Sequence, residues 1–219
     1  MANVIAKDFV LNRAADLPIK GIMRYTAEAD KKPLVLVLHG FKGFKEYGFF
    51  PYICEKIAAA GALTAIIDFS HNGVISQEPV YDADVFAVNT VSQQLKDIAN
   101  AVDYLTKEYI PADPFLSERW NGDIYLLGHS MGGAISILFT PGEKRIKKLS
   151  SWASISKFER YTRRQKTEWK EKGRLDFTNT STGQELYLDV DFLNDLERND
   201  EKFNIPNAAS QIKIPFLII

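Results

Sequence analysis

The stretch Gly128-His129-Ser130-Met131-Gly132-Gly133 decides the fold of this 219-residue chain. It follows the apolar run Ile124–Leu127 and leads into a second apolar run, Ala134–Leu138. This order predicts a strand, a sharp turn that carries a serine between glycines, and then a helix, which is typical of a nucleophile elbow. A serine on such a turn is strained, and side chains two positions before and after it would collide with neighbouring elements. The flanking glycines remove those collisions, so we expect Ser130 to be a nucleophile.

A second motif, upstream of the first, fits the same chemistry. The apolar run Leu34–Leu38 predicts a parallel strand covered on both faces, and it ends in His39-Gly40-Phe41-Lys42-Gly43. Acyl transfer needs two convergent backbone N–H donors for the oxyanion of the tetrahedral intermediate. We expect one donor from Met131 and the other from Phe41, because Gly40 permits a close approach. The alternative interpretation is an ordinary turn at the end of a strand.

With these two motifs the chain resembles the α/β-hydrolase superfamily, and within it the serine esterases of the cinnamoyl-esterase-like branch. The matching segments are HGFKGFKEYGFFPYICEKIAAAG, TAIIDFSHNG, DIYLLGHSMGGA, TGQELYLDVDFLNDLE and IKIPFLII. GHSMGG in its context is specific for the superfamily, whereas the other segments are typical of a looser group of esterases, thioesterases and related hydrolases. The resemblance implies that a small-molecule carboxylic ester or thioester is cleaved through an acyl-enzyme on Ser130, without a cofactor.

The resemblance also implies where the two partners of Ser130 should lie. A serine nucleophile needs a base and a group that orients the base, and in this superfamily the chain order is serine, acid, histidine. The acid follows the strand after the cap, here residues 212–219, and the histidine follows one more strand. The sequence has no histidine after His129. We therefore expect the acid, the histidine, a final strand and two helices to lie beyond this chain, which alone should be a very weak esterase.

Four residues within the chain could take the role of base or acid instead. His71 follows a predicted strand and could approach the nucleophile, although the resemblance favours a structural turn there that Asp68 holds. His39 supports the oxyanion loop, and His129 is the variable residue of the elbow. Glu159 follows a later strand, but an acid orients nothing without a histidine. A second function class is a non-catalytic descendant that keeps the pocket and serves as a binding or interaction protein.

The periodicity of the remaining sequence predicts the elements around these motifs. It indicates strands at 4–11, 19–25, 34–38, 63–68, 124–127 and 148–155, and helices at 46–60, at 91–106 and after the elbow. The first two strands turn at Asp16-Leu17-Pro18, and Thr90 with Gln93 resembles a capping box at the start of the long helix. Such alternation predicts an α/β fold, a mostly parallel sheet with helices on both faces. Catalytic groups should gather at the carboxyl ends of its strands.

Residues 157–211 interrupt this alternation, and we interpret them as a small cap insert within a single domain of residues 1–219. Residues 157–174 are rich in Lys and Arg, residues 185–201 are rich in Asp and Glu, and residues 175–189 between them predict a hairpin. One interpretation of the two charged runs is solvated surface whose charges partly pair with each other. The other is a cap over the active site, whose basic part favours substrates that carry a carboxylate.

Composition excludes several function classes. A net charge of −1 gives no field that would attract nucleic acid or an anionic membrane. The single cysteine, Cys54, excludes an internal disulfide and fits a reducing compartment. It lies on an apolar helix face, so we expect a core residue. No signal peptide is apparent at the start of the chain, and the prediction is therefore a cytoplasmic protein. The histidines show no metal-ligand spacing, and no phosphate or dinucleotide loop is present.

The end of the chain predicts a further property. Phe216–Ile219 is apolar throughout, like an interior parallel strand. Without the neighbouring strand of related hydrolases, its outer edge would offer unpaired N–H and C=O groups, and exposed apolar edges recruit other chains. We expect the chain either to self-associate through residues 212–219 or to leave this segment poorly ordered.

Overall fold

A mostly parallel sheet forms the centre of the computed structural model, which describes residues 3–12, 17–28, 30–75 and 80–219. Within these residues seven strands make one sheet in the order β1-β2-β4-β3-β5-β6-β9, and two more make a separate hairpin. The strands are Val4–Leu11 (β1), Ile19–Thr26 (β2), Lys32–Leu38 (β3), Leu63–Ile67 (β4), Trp120–His129 (β5), Ile146–Trp152 (β6), Arg174–Thr178 (β7), Glu185–Asp189 (β8) and Phe216–Ile218 (β9). β2 pairs antiparallel with β1 and with β4, and all other pairings in the sheet are parallel. The predicted turn at Asp16 lies partly outside the described residues.

Helices cover both faces of the sheet, as the sequence predicts. They are Phe50–Ala59 (α1), Ala83–Ala87 (α2), Val91–Tyr104 (α3), Ile110–Ala112 (α4), Pro114–Arg119 (α5), Met131–Phe139 (α6), Arg163–Lys172 (α7), Val190–Arg198 (α8) and Ile205–Gln211 (α9). β3 shows how the faces divide, because successive side chains of a strand point to opposite sides. Val35 and Val37 pack in a core cluster with Phe50 and Cys54 of α1. Leu36 belongs to the larger cluster on the other face, which includes residues of α3 and α6.

Several predicted boundaries are wrong by a few residues, and the structure gives the reasons. The first helix begins at Phe50 rather than at residue 46, because the preceding residues form turns and Lys45 donates its backbone N–H to Asp68. β6 ends at Trp152 rather than at residue 155, because Ala153 takes a φ of 45°, which no strand can continue. The long helix α3 continues past residue 104 as a π-helical segment, and the last strand is shorter than predicted.

Buried residues of the segment 157–211, among them Phe158 and Leu188, belong to the same core cluster as residues of the main sheet. Trp169 of α7 is buried, stacks on Phe192 of α8 and donates its indole N–H to the Leu188 carbonyl of β8 at 3.1 Å. Lys170 of the basic run binds Glu197 of the acidic run at 2.6 Å. The expectation that the two charged runs partly pair with each other is therefore confirmed.

Cys54 tests the packing of α1 against the sheet. The side chain is fully buried, and burial raises the pKa of the thiol to about 12. Because the thiolate is the reacting form, a thiol reagent at pH 8 should modify the folded protein far more slowly than the urea-unfolded protein. With a reagent that releases a chromophore on reaction, the absorbance measures the modification of Cys54 directly, since this is the single cysteine. Equal rates for the folded and unfolded chains would contradict the burial of Cys54.

Candidate active site

The predicted strand, turn and helix are present around Ser130. The residue joins β5 to α6 with φ 54° and ψ −117°, a conformation that L-residues rarely adopt. Its backbone N–H donates to the carbonyl of Trp152 at 2.9 Å, and its carbonyl accepts from the N–H of Ala134 at 3.2 Å. The first bond ties the turn to the neighbouring strand β6 and the second opens α6. The strain is therefore held in place by hydrogen bonds to β6 and within α6.

Both elbow glycines are required by close backbone contacts. A Cβ atom at Gly128 would lie 2.3 Å from the carbonyl oxygen of Gly132. A Cβ atom at Gly132 would lie 2.3 Å from the carbonyl oxygen of His39 and 2.6 Å from that of Leu38. These are backbone atoms of the elbow itself and of the end of β3, so they cannot move aside cheaply. The turn can form only where residues 128 and 132 lack side chains.

The predicted oxyanion loop lies directly against Ser130. A Cβ atom at Gly40 would lie 3.0 Å from Cβ of Ser130 and 3.5 Å from its Oγ. The N–H of Gly43 donates to the carbonyl of Gly40 at 2.9 Å, which closes a β-turn with Phe41 and Lys42 at its two central positions. That the amides of Phe41 and Met131 point to one oxyanion stays a prediction.

A buried imidazole connects this loop to the end of β4. His39 is 2% exposed, and burial lowers its pKa, so the ring is neutral at pH 7. Nδ1 lies 2.9 Å from the carbonyl oxygen of Gly40, and Nε2 lies 3.4 Å from the backbone nitrogen of Phe69. A neutral ring with its proton on Nδ1 satisfies both contacts, because Nδ1 donates and Nε2 accepts. His39 thus ties the loop after β3 to Phe69, and the function of that loop stays a prediction.

Asp68 anchors the other end of the same loop. Its Oδ1 accepts the backbone N–H of Lys45 at 2.6 Å, and its Oδ2 lies 3.4 Å from the ammonium nitrogen of Lys45. Asp68 is only 4% exposed, so water weakly screens the attraction between its carboxylate and the Lys45 ammonium group. From the sequence we expect Asp68 to hold the turn at His71, whereas these two contacts hold the loop after β3.

His129, His71 and Glu159 contact groups other than the nucleophile. The His129 ring packs edge-on against Phe49, with centroids 5.1 Å apart. His71 Nδ1 lies 2.7 Å from the hydroxyl of Ser70. Glu159 pairs with a lysine ammonium at 2.6 Å. Within the part of the chain that the structure describes, no hydrogen bond joins a histidine to the Ser130 hydroxyl.

The structure also shows polar residues near this edge that the sequence did not single out. Asp97 of α3 is fully buried and accepts hydrogen bonds from the backbone and hydroxyl of Ser70 and from Gln93. It fixes the loop after β4 to α3. A sequence signal existed, because Asp97 and Gln94 fall on the apolar stripe of that helix, where a polar residue needs a partner.

Two negative findings hold for the described residues. Among them, no group of three or more His, Cys, Asp and Glu side chains is placed to hold a metal ion. None of the helices formed by these residues combines the length and the apolar composition that crossing a membrane requires.

The sheet order, the strained serine between β5 and α6 and the glycine loop beside it define the class of α/β-hydrolases. Residues 29–172, more than half of the chain, match the family described as serine aminopeptidase, S33. The chain belongs to this hydrolase family. Among curated protein sequences none matches it with significance.

Solved structures with the same fold include several hydrolases. Est1E from Butyrivibrio proteoclasticus with bound ferulic acid is 19% identical, with a TM-score of 0.69 over 96% of this chain and 77% of that chain. DcsB, solved with a substrate analogue, is 17% identical, with a TM-score of 0.69 over 98% of this chain and 80% of that one. An acylaminoacyl peptidase from Pyrococcus horikoshii is 19% identical, with a TM-score of 0.63 over 98% of this chain and 31% of its own length. At these identities the likeness shows the fold.

Gly132 in the first turn of α6 and Gly142 just after that helix provide a matched test of the elbow. Gly132→Ala places a methyl group against the carbonyls at the end of β3 and should cost at least about 1–3 kcal/mol of unfolding free energy. Gly142→Ala meets no atom within 4 Å and should change stability by less than about 0.5 kcal/mol. Urea unfolding followed by circular dichroism compares the two. Equal stability of both variants would contradict the close contact at Gly132.

Proposed function

We propose that this protein is a serine hydrolase that cleaves a carboxylic ester or thioester through an acyl-enzyme on Ser130. The observation that carries the proposal is the strained φ of 54° at Ser130, with Gly40 of the neighbouring loop in contact with it. A strained non-glycine residue costs free energy, and such strain is concentrated at functional sites. A protein that needed only the fold could place glycine at this turn.

In the proposed reaction the Ser130 Oγ attacks the carbonyl carbon of the ester, and its proton passes to a base. The carbonyl oxygen gains negative charge, which the N–H groups of Met131 and Phe41 would stabilise. Met131 is the first residue of α6, so the positive end of the helix dipole acts on the same charge. Collapse of the intermediate breaks the bond to the alcohol or thiol and leaves the acyl group on Ser130. Water then attacks this acyl-enzyme and releases the carboxylic acid.

The source of the base stays a prediction from the family resemblance, which places the acid and the histidine after residue 219. The backbone of Ile219 makes two hydrogen bonds at the end of β6. Its carbonyl accepts from the N–H of Ala153 at 2.7 Å, and its N–H donates to the carbonyl of Ser151 at 3.0 Å. Trp152, between these residues, accepts the N–H of Ser130. The carboxyl end of β9 therefore lies at the same edge of the sheet as the nucleophile, which supports the proposed position of the acid.

Names of structural neighbours suggest the first substrates to test. Est1E was solved with ferulic acid, and another neighbour with a TM-score of 0.63 is named as the esterase Est22. We propose esters of aromatic carboxylic acids as the first substrate class. The cytoplasmic location and the absence of a nucleic-acid partner stay predictions from the sequence.

Labelling of Ser130 tests the proposal. A fluorophosphonate should modify this 219-residue chain slowly and at Ser130, because a serine protease without a triad member keeps roughly 10³–10⁴-fold catalysis over water through its oxyanion hole and binding. Peptide mapping by mass spectrometry locates the label, and Ser130→Ala should abolish it.

Two outcomes would change the proposal. Labelling at Ser130 no faster in the folded chain than in the urea-unfolded chain would contradict a hydrolase and favour a non-catalytic binding protein. Rapid labelling would show that a base lies within the 219 residues. His71→Ala is the variant that would then identify it.

We also propose that the open edge of β9 mediates self-association. Leu217 and Ile218 are 57% and 68% exposed, unlike the leucines and isoleucines of β3, β4, β5 and β6, which are buried. Sedimentation velocity should therefore show a concentration-dependent dimer or larger species, which Leu217→Lys weakens. Val10→Lys on β1, an exposed residue at the opposite edge, is the matched control and should leave the association unchanged. A monomer at all concentrations would contradict this proposal.

A further inference from the structure

The turn that carries Phe41 has a lysine where the backbone favours glycine. Lys42 is at the third position of the β-turn 40–43 and has a φ of 57°. Turns with positive φ at this position usually have Gly or Asn there, because a longer side chain is strained. A lysine has no local hydrogen bond that would favour such a conformation. Contacts from elsewhere in the fold must therefore hold Lys42.

Two hydrogen bonds hold it, one at the side chain and one at the backbone. The ammonium group of Lys42 donates to Oδ1 of Asn179 at 3.2 Å. The hydroxyl of Tyr81 donates to the Lys42 carbonyl at 2.5 Å. Burial raises the pKa of Tyr81 to about 12, so this hydroxyl keeps the proton that it donates. Within the described residues no carboxylate pairs with Lys42, so Asn179 is the partner that orients its side chain.

Both partners of Lys42 are fixed by the β7–β8 hairpin. Asn179 follows β7 and is 1% exposed, and its backbone N–H donates to the carbonyl of Gln184 at 2.8 Å. The Gln184 side chain binds the backbone of Tyr81 at both groups. It accepts from the N–H at 3.0 Å and donates to the carbonyl at 2.6 Å. The hairpin therefore determines where both the Asn179 amide and the Tyr81 hydroxyl lie.

Aromatic packing ties Phe41 to the same hairpin. Its ring lies 5.8 Å from the ring of Phe177 in β7 and 5.3 Å from the ring of Phe86 in α2, measured between centroids. Tyr187 of β8 in turn donates to Asp84 of α2 at 2.7 Å. The side chain of the proposed oxyanion residue thus packs between the hairpin and the helix that the hairpin binds.

We propose that Asn179 and Tyr81 are positioning residues that act through Lys42, so that the β7–β8 hairpin sets the orientation of the Phe41 amide in the oxyanion hole. The inference rests on the proposed hydrolase function. The inference gives the hairpin a role in catalysis, because the hairpin fixes the geometry of the turn 40–43 next to the reacting carbonyl. Without these bonds Lys42 would relax to negative φ, which rotates the Phe41–Lys42 peptide. Because the hydrogen bond from Gly43 to Gly40 closes the turn, the Gly40–Phe41 peptide, which carries the Phe41 N–H, must shift with it.

Substitution of Asn179 provides the first test. Asn179→Ala removes the acceptor and should slow fluorophosphonate labelling of Ser130 about tenfold, less than the roughly 10²–10³-fold loss caused by deleting an oxyanion donor. Asn179→Asp should label at the original rate, because it keeps the acceptor oxygen for Lys42. The amide nitrogen that it loses, Nδ2, has no hydrogen-bond partner among the described residues. Thr178→Ala, an exposed neighbour in the same hairpin, is the matched control and should label like the unmodified chain.

A double-mutant cycle separates positioning from a general effect on folding. Glycine adopts positive φ without strain, and Lys42→Gly also removes the ammonium group. In the Lys42→Gly background Asn179→Ala should therefore change the labelling rate by less than about twofold. An unchanged tenfold effect in that background would overturn the proposal, because Asn179 would then act independently of Lys42. If Asn179→Ala fails to fold, Tyr81→Phe removes only the hydroxyl and should slow labelling in the same direction.

Amide NMR distinguishes failure of this inference from failure of the proposed function. In ¹⁵N spectra two quantities report the turn: the chemical shift of the Phe41 amide and the HN–Hα coupling constant of Lys42, which depends on φ. Both should change in Asn179→Ala and in Tyr81→Phe but not in Thr178→Ala. These signals report the turn even if Ser130 is never labelled, an outcome that would contradict only the hydrolase. Phe41 and Lys42 signals that are identical in Asn179→Ala and Thr178→Ala would overturn the positioning role.

Discussion

The strained backbone of Ser130 depends on the contact of three chain segments at one point. The elbow, the end of β3 and the glycine loop approach so closely that carbonyl oxygens occupy the space of any Cβ atom at residues 128 and 132. Gly40 lies against the serine itself under a milder restriction, since a Cβ atom there would lie 3.0 Å from Cβ of Ser130. The parallel pairing of β3 with β5 brings these segments to the same edge. The position of Ser130 therefore follows from the order of the central strands.

The loop beside the nucleophile is held by polar groups that the fold buries. His39 binds the loop to Phe69, two residues after β4, and Asp68 binds its far end through Lys45. Buried polar groups are costly unless each finds a partner, so these contacts fix one loop conformation instead of allowing several. The hairpin of the inserted segment adds a third restraint at Lys42. Three separate restraints therefore hold a loop that is made largely of glycines and aromatic residues.

Local patterns predicted much of the fold. The apolar runs of β3, β4 and β5 and the glycines of the elbow are signals within a few residues, and they indicated the sheet, the turn and the serine. The end of β6 was missed because a positive φ at Ala153 has no sequence signature. The contact of Lys42 with Asn179 joins residues 137 positions apart, so no periodicity or motif could indicate it. Pairings that depend on the insert need the tertiary structure.

The oxyanion geometry is tested most directly by a crystal structure of the chain after prolonged reaction with a phosphonate. The phosphoryl oxygen should lie about 2.7–3.1 Å from the backbone nitrogens of both Phe41 and Met131, with phosphorus bonded to Ser130 Oγ. Such an adduct would show that the elbow and the glycine loop form one site. A phosphoryl oxygen that contacts neither amide, or only that of Met131, would contradict the assignment of Phe41 and the role of the loop after β3.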